Sequence, residues 1–172
     1  NILKGLDHGN SKIFAMIDYG TCGLEHIQPA GECFLDGIRV IFKKPKIEEA
    51  YPYCRHIKEM GYKLYVNLVS TDQYSDEEFI SCIRRFEDLR PDGYTIVDTF
   101  GLIKRKSFLH YVRLADEAMP EDAMLCYHAH NNLQQAFGNA EALVDLKLER
   151  DVCIDASVFG MGRGAGNLCL EL

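Results

Sequence analysis

A chain of 172 residues, 47% hydrophobic and 26% charged, is long enough for one domain, 1–172, with a sizeable core. Its formal net charge of −7 disfavours nucleic acid and anionic membrane surfaces as partners. No apolar run approaches a membrane span, residues 1–10 hold no signal-peptide hydrophobic region, and seven cysteines without a C-x-x-C pair argue against a disulfide framework, so a cytoplasmic location is expected.

Short apolar, β-branched or aromatic runs occur at 12–17, 38–42, 63–69, 94–97, 124–127 and 152–154, recurring roughly every 25 to 31 residues. That interval is the length of a strand-plus-helix unit. Residues 18–36 hold three glycines and a proline without helical period and read as loop. Pro45 then suits a first helical turn, Ile47, Ala50, Cys54 and Ile57 follow at helical spacing, and Gly61 closes the segment. Ser75-Asp76-Glu77-Glu78 is a capping-box pattern ahead of the stripe Phe79, Cys82, Ile83 and Phe86. A third helix carries Phe108, Tyr111, Val112 and Ala115, and a fourth is expected over 133–148. Residues 168–172 look like the first turn of another helix. Strands alternating with helices predict an α/β fold with a mostly parallel sheet and right-handed crossovers.

In such folds chemistry collects at the C-terminal ends of the strands. Those ends carry Asp18, Lys43 and Lys44, Asn67 and Ser70, Asp98 and Thr99, His128 and His130, then Asp155 and Ser157. The lysines read as solvated, and Asp98 alone suits a loop or a cap as well as a site. His128 and His130 stand two apart at a strand end, so both side chains point one way, about 6 to 7 Å apart. They can hold one divalent metal ion, or they can be two hydrogen-bonded strand-end histidines; the pair alone leaves both open. Cys126 shares their face one step deeper, where a small apolar filler is the expected role. After the last strand, Gly160, Gly162, Gly164 and Gly166 alternate. Such a loop lets backbone approach a ligand or serves as a plain flexible turn. Within it, Arg163 can clamp a carboxylate or hold the loop, and Asn167 can be a neutral oxygen ligand or a cap.

Together, His128-Ala129-His130-Asn131-Asn132 and, further on, Ile154-Asp155-Ala156-Ser157 with Gly160-Met161-Gly162-Arg163-Gly164-Ala165-Gly166-Asn167 resemble the pyruvate carboxyltransferase-like (HMG-CoA lyase-like) metal-dependent TIM barrels. The wording is most like the 4-hydroxy-2-oxovalerate aldolase branch, and Val97-Asp98-Thr99-Phe100-Gly101 is similar to that family's sixth-strand segment. The resemblance implies an incomplete (β/α)8 barrel in which strands 3 to 8 are represented and the N-terminal βα units are missing. It implies His128, His130 and Asn167 as ligands to Mn²⁺ or Mg²⁺. Asp98 and Arg163 become candidate catalytic residues, and Asn67, Ser157, Gly162 and Gly164 candidate substrate contacts. The implied reaction is a metal-assisted cleavage or formation of a C–C bond in a 4-hydroxy-2-oxo acid, giving pyruvate and an aldehyde. The implied partner is a small 2-oxo acid, and the chain is expected to be a homo-oligomer or part of a larger chain. Alternatives are an acyl-CoA-dependent Claisen lyase or synthase of the same family, or a degenerate barrel that binds metal or a small acid without turnover.

Two departures accompany the resemblance. The family's first strand ends in Arg-Asp-Gly, and Leu89-Arg90-Pro91-Asp92-Gly93 is no substitute, because proline intervenes and a later strand follows. The end Phe42-Lys43-Lys44 lacks the histidine-containing pattern expected of aldolase relatives, which leaves the substrate open.

Overall fold

Runs of valine, isoleucine, leucine and tyrosine that are apolar nearly throughout suit strands covered on both faces, as parallel strands are. The computed structural model describes residue 5 and residues 7–172. Six such runs form strands β1 (Phe14–Asp18), β2 (Gly37–Phe42), β3 (Lys63–Leu68), β4 (Gly93–Asp98), β5 (Met124–Ala129) and β6 (Val152–Asp155). They make one sheet in the order β1-β2-β3-β4-β5-β6, every pair parallel. Helices α1 (Ile47–Glu59), α2 (Asp76–Arg85), α3 (Arg105–Ala118) and α4 (Ala136–Asp145) cross from strand to strand. The β1–β2 connection has only two short 3₁₀ turns, Leu24–His26 and Ala30–Glu32, as its composition predicts. The architecture is α/β, a partial TIM barrel of six parallel strands.

Alternation along the strands sorts the side chains into two layers. Toward the helices lie Val40, Phe42, Val66, Ile96 and Tyr127, all essentially inaccessible. Phe42 stacks on Phe86 at 5.2 Å beyond the end of α2, and Phe108 of α3 meets Tyr127 at 4.3 Å. Each of these buried side chains contributes on the order of 1.5–3 kcal/mol through desolvation, which is why the helices stay seated. The opposite, concave layer carries Met16, Arg39, Asn67, Thr95, Cys126, His128 and Asp155, a far more polar set. The capping box of α2 forms as expected, with Ser75 Oγ accepting from the Glu78 amide and Glu78 Oε2 accepting from the Ser75 amide.

Two expectations are corrected. The fourth helix begins at Ala136, not at 133, because Asn131 and its neighbours form a turn instead. There the Leu133 amide donates to the Gly101 carbonyl, Gln134 adopts φ 58°, and Asn131 Oδ1 accepts from the Ala136 amide. Residues 168–172 do not start a helix either. Cys169 forms a parallel bridge to Ser157, whose amide donates to Leu168 and whose carbonyl accepts from Leu170. Strand-like pairing thus satisfies backbone groups that a helical turn would have left to itself. Among the described residues, no helix is long and apolar enough to cross a membrane.

Candidate metal centre at the barrel mouth

His128 is the fifth residue of β5 and faces the concave side, opposite Asp155 of β6 in the strand register. Its Nδ1 lies 2.9 Å from Asp155 Oδ2. His130 lies one residue past the strand, where its amide donates to the Asp98 carbonyl and its backbone bridges Asn167. Its Nδ1 is 3.1 Å from the Arg163 carbonyl. A carbonyl can only accept, and so can an ionised carboxylate, so both rings carry their proton on Nδ1. In the neutral rings the Nε2 lone pairs then have no hydrogen-bond partner among the described residues. The two rings stand 5.5 Å apart, inclined at 70°.

Asn167 joins them through the glycine loop. Its Nδ2 donates to the Met161 carbonyl at 3.1 Å, while its buried Oδ1 has no partner among the described residues. Gly162 makes this possible: a Cβ there would lie 2.6 Å from the Asn167 amide. Gly166, at φ +82°, could carry a Cβ only 2.4 Å from the Gly160 carbonyl oxygen. The alternating glycines therefore let the loop fold back on itself and bring Asn167 beside His130. A cavity of about 380 Å³ opens on the His128 side, lined by Met16, Arg39, His128, Asp155 and Asn167 among others, with His130 outside its lining.

Beneath the histidines a hydrogen-bonded chain crosses the concave interior. Arg39 Nη1 donates to Asp155 Oδ1 at 2.7 Å, and its Nη2 donates to Thr95 Oγ1 at 3.0 Å. The Thr95 hydroxyl in turn donates to Asn67 Oδ1 at 2.9 Å. Burial pushes the Asp155 carboxyl upward, but hydrogen bonds from His128 and Arg39 outweigh it and hold the group below the usual carboxylate range. Burial also opposes the Arg39 charge, and the Asp155 carboxylate more than restores it. Cys126 is fully buried one layer down, its thiol pushed up by a hydrogen bond to Cys153 and by burial. A protonated thiol is a poor ligand, so the filler role suits it.

The predicted residues fall in different places. His128, His130 and Asn167 come together, and Arg163 is on the loop that holds His130, its side chain exposed. Asp98 does not join them. It lies on the helix-facing layer, 1% exposed, where its Oδ1 and Oδ2 accept from the Leu102 and Ile103 amides. Asn67 Oδ1 accepts from the buried Thr95 hydroxyl, and the Ser157 hydroxyl donates to the Met161 carbonyl within its own loop. Gly162 makes room for Asn167, and Gly164, at φ +61° with open space around it, shapes the turn. Lys44 pairs with Glu78 at 2.5 Å on the outer surface, the solvated reading of the strand-end lysines. Arg39 and Thr95 escaped the sequence reading. The available signal was a charged residue in the middle of the apolar run 38–42, at the alternation that faces inward.

Among the described residues, no group of three or more His, Cys, Asp or Glu is placed to hold a metal ion. Two imidazoles with ring centres 5.5 Å apart and the amide oxygen of Asn167, paired in backbone with His130, are donors of the kinds that a divalent cation with mixed nitrogen and oxygen ligands takes. Each histidine also has the outer-shell acceptor that metal-binding histidines ordinarily have.

Fold and site together define a partial α/β barrel with a histidine pair at its C-terminal mouth. The chain belongs to the HMGL-like family, whose model matches residues 38–172. This is a family of carbon–carbon lyases and aldolases that typically uses a divalent metal. The chain is 25% identical over 162 residues to an oxaloacetate decarboxylase of Mycobacterium tuberculosis, covering 94% of this chain and 46% of that protein. It is 26% identical to a 4-hydroxy-2-oxovalerate aldolase of Geobacillus genomosp. 3, covering 94% and 47%. In fold it is similar to an HMG-CoA lyase from Bacillus subtilis, with a TM-score of 0.78, 14% identity, and coverage of 99% of this chain and 63% of that one. The chain spans about half the length of the curated relatives it matches.

Proposed function

We propose that this chain supplies the histidine side of a divalent-metal centre in an aldolase that cleaves or forms the C–C bond of a 4-hydroxy-2-oxo acid, with pyruvate and an aldehyde as the other side of the reaction. The observation that carries this is the matched state of the two histidines: each Nδ1 is fixed by an acceptor, and neither Nε2 has a hydrogen-bond partner among the described residues. His128 and His130 would hold Mn²⁺ or Mg²⁺ through Nε2, and Asn167 through Oδ1. When bound, the cation supplies Lewis acidity at the 2-oxo group. Asp155 keeps the Nδ1 proton on His128, and the Arg163 carbonyl keeps it on His130. The Arg163 guanidinium, exposed on the same loop, offers positive charge to a substrate carboxylate. The buried Asp98 holds the loop after β4 and, through its carbonyl, the His130 backbone.

A second reading is decarboxylation of oxaloacetate, favoured by the similarity to the mycobacterial protein of that name. Both reactions break a C–C bond near a 2-oxo group and leave pyruvate. The test is pyruvate release by the protein from 4-hydroxy-2-oxo acids and from oxaloacetate, with Mn²⁺, with a chelator, and with His128→Ala, each corrected for metal alone. Metal-dependent release from the hydroxy acid, lost in the variant, is the expected result. Release from oxaloacetate alone selects the second reading, and chelator-resistant release overturns both.

A further inference from the structure

Arg39 reaches across the concave interior from the second strand to the sixth, 116 residues away in sequence. Its guanidinium is gripped at both tips, by Asp155 on one side and by Thr95 on the other, and Thr95 is itself seated on Asn67. Its third nitrogen, Nε, is buried without a partner among the described residues. The two end contacts, not local satisfaction of every donor, therefore set the orientation of the group. Asp155 is divided in the same way, with Oδ1 on Arg39 and Oδ2 on His128. A carboxylate held at one oxygen can still turn about its Cβ–Cγ bond. Held at both, its plane is fixed and its second oxygen points along the His128 Nδ1–H direction.

We infer that Arg39 is a positioning residue for the metal centre: by fixing the Asp155 carboxylate, it holds His128 in the Nδ1–H tautomer with Nε2 turned to the mouth. His130 stands outside this chain, since its Nδ1 is held by the Arg163 carbonyl. The two histidines therefore respond differently when Arg39 is changed. A rival role for Arg39, a strut that ties β2 to β6, predicts no such difference. Lysine at this position keeps the charge but has a single nitrogen, which cannot bridge Asp155 and Thr95 at once.

The experiment is ¹⁵N NMR of the histidine rings in the metal-free protein, paired with calorimetric titration of Mn²⁺, for wild type, Arg39→Met, Arg39→Lys and Thr95→Val. The wild type should show His128 with a protonated Nδ1 and a bare Nε2. In Arg39→Met the His128 signals should move to a mixture of tautomers while those of His130 stay in place. Mn²⁺ affinity should fall roughly 10- to 100-fold, the range known for lost outer-shell partners. Arg39→Lys and Thr95→Val should move both readouts the same way by less, and they carry the test if Arg39→Met does not fold. Unchanged His128 signals in the folded variants overturn the inference, as do equal shifts in both histidines. The affinity arm rests on the metal reading above, whereas the tautomer arm does not. Failure of the wild type to bind Mn²⁺ would sink that reading and leave the NMR result to decide the role of Arg39.

Discussion

Replacing Asp98 by alanine separates two roles for a residue that motif resemblance places in the chemistry and the structure places beneath a loop. The Asp98 carboxylate accepts from the Leu102 amide at 2.9 Å and from the Ile103 amide at 3.0 Å, in a position 1% exposed. Hydrogen bonds to a charged acceptor are worth about 1.5–3 kcal/mol each, and the buried Ile103 amide would be orphaned by the change. Asp98→Ala should therefore cost about 3–5 kcal/mol of stability. Asp98→Asn, which keeps one acceptor and turns a donor toward the other amide, should cost about half as much. In urea, with a slope of about 2 kcal/mol/M, a loss of about 4 kcal/mol moves the midpoint by about 2 M. A pH series adds a sign. Burial pushes the Asp98 carboxyl above its ordinary value of 3.8, against the pull of the loop amides. The folded state then keeps that proton to higher pH than the unfolded chain does. The stability it contributes is full below the unfolded value and is lost as pH rises through the raised folded one. Asp98→Asn has no such proton, so the wild type's margin over it should shrink across that window. Unchanged urea midpoints in Asp98→Ala, together with abolished turnover, would refute the loop role and return Asp98 to the chemistry.

Two further substitutions test separate links. Gly162→Ala places a methyl group 2.6 Å from the Asn167 amide and should displace it, lowering Mn²⁺ affinity about tenfold in a calorimetric titration. Wild-type affinity in that variant would remove Asn167 from the centre. Ser75→Ala deletes the hydroxyl that caps α2 and should cost about 1 kcal/mol in thermal or urea unfolding, without touching metal binding.

How much of this protein could be read from its residues depends on the range of the interaction concerned. Strand periodicity reports local burial, so six strands, four helices and the loop after β1 were legible from apolar spacing and turn residues. The capping box was legible for the same reason, because its partners lie three residues apart. The start of the fourth helix was not. Leu133 fits a helical stripe, but its amide is claimed by Gly101, more than thirty residues earlier, and no local preference reports such a claim. The five residues 168–172 went the same way, drawn into pairing with Ser157.

At the site, the spacing of His128 and His130 was enough to put both imidazoles on one side of a strand end, since alternation is a property of the backbone. The glycines of 160–166 announced a close approach without naming what approaches. Only the folded chain shows that it is Asn167, because the clash that glycine avoids is with a side chain the loop itself brings back. The sequence likewise determined that Asp98 is polar at a strand end. Whether it faces the mouth or the helices is a matter of register, and the fold turned it toward the helices. Arg39 is the clearest division between the two levels. Its charge inside an apolar run is visible in the sequence. Its partner is 116 residues away and becomes a neighbour only when the sheet curves, so the link from Arg39 through Asp155 to His128 exists in the tertiary structure alone.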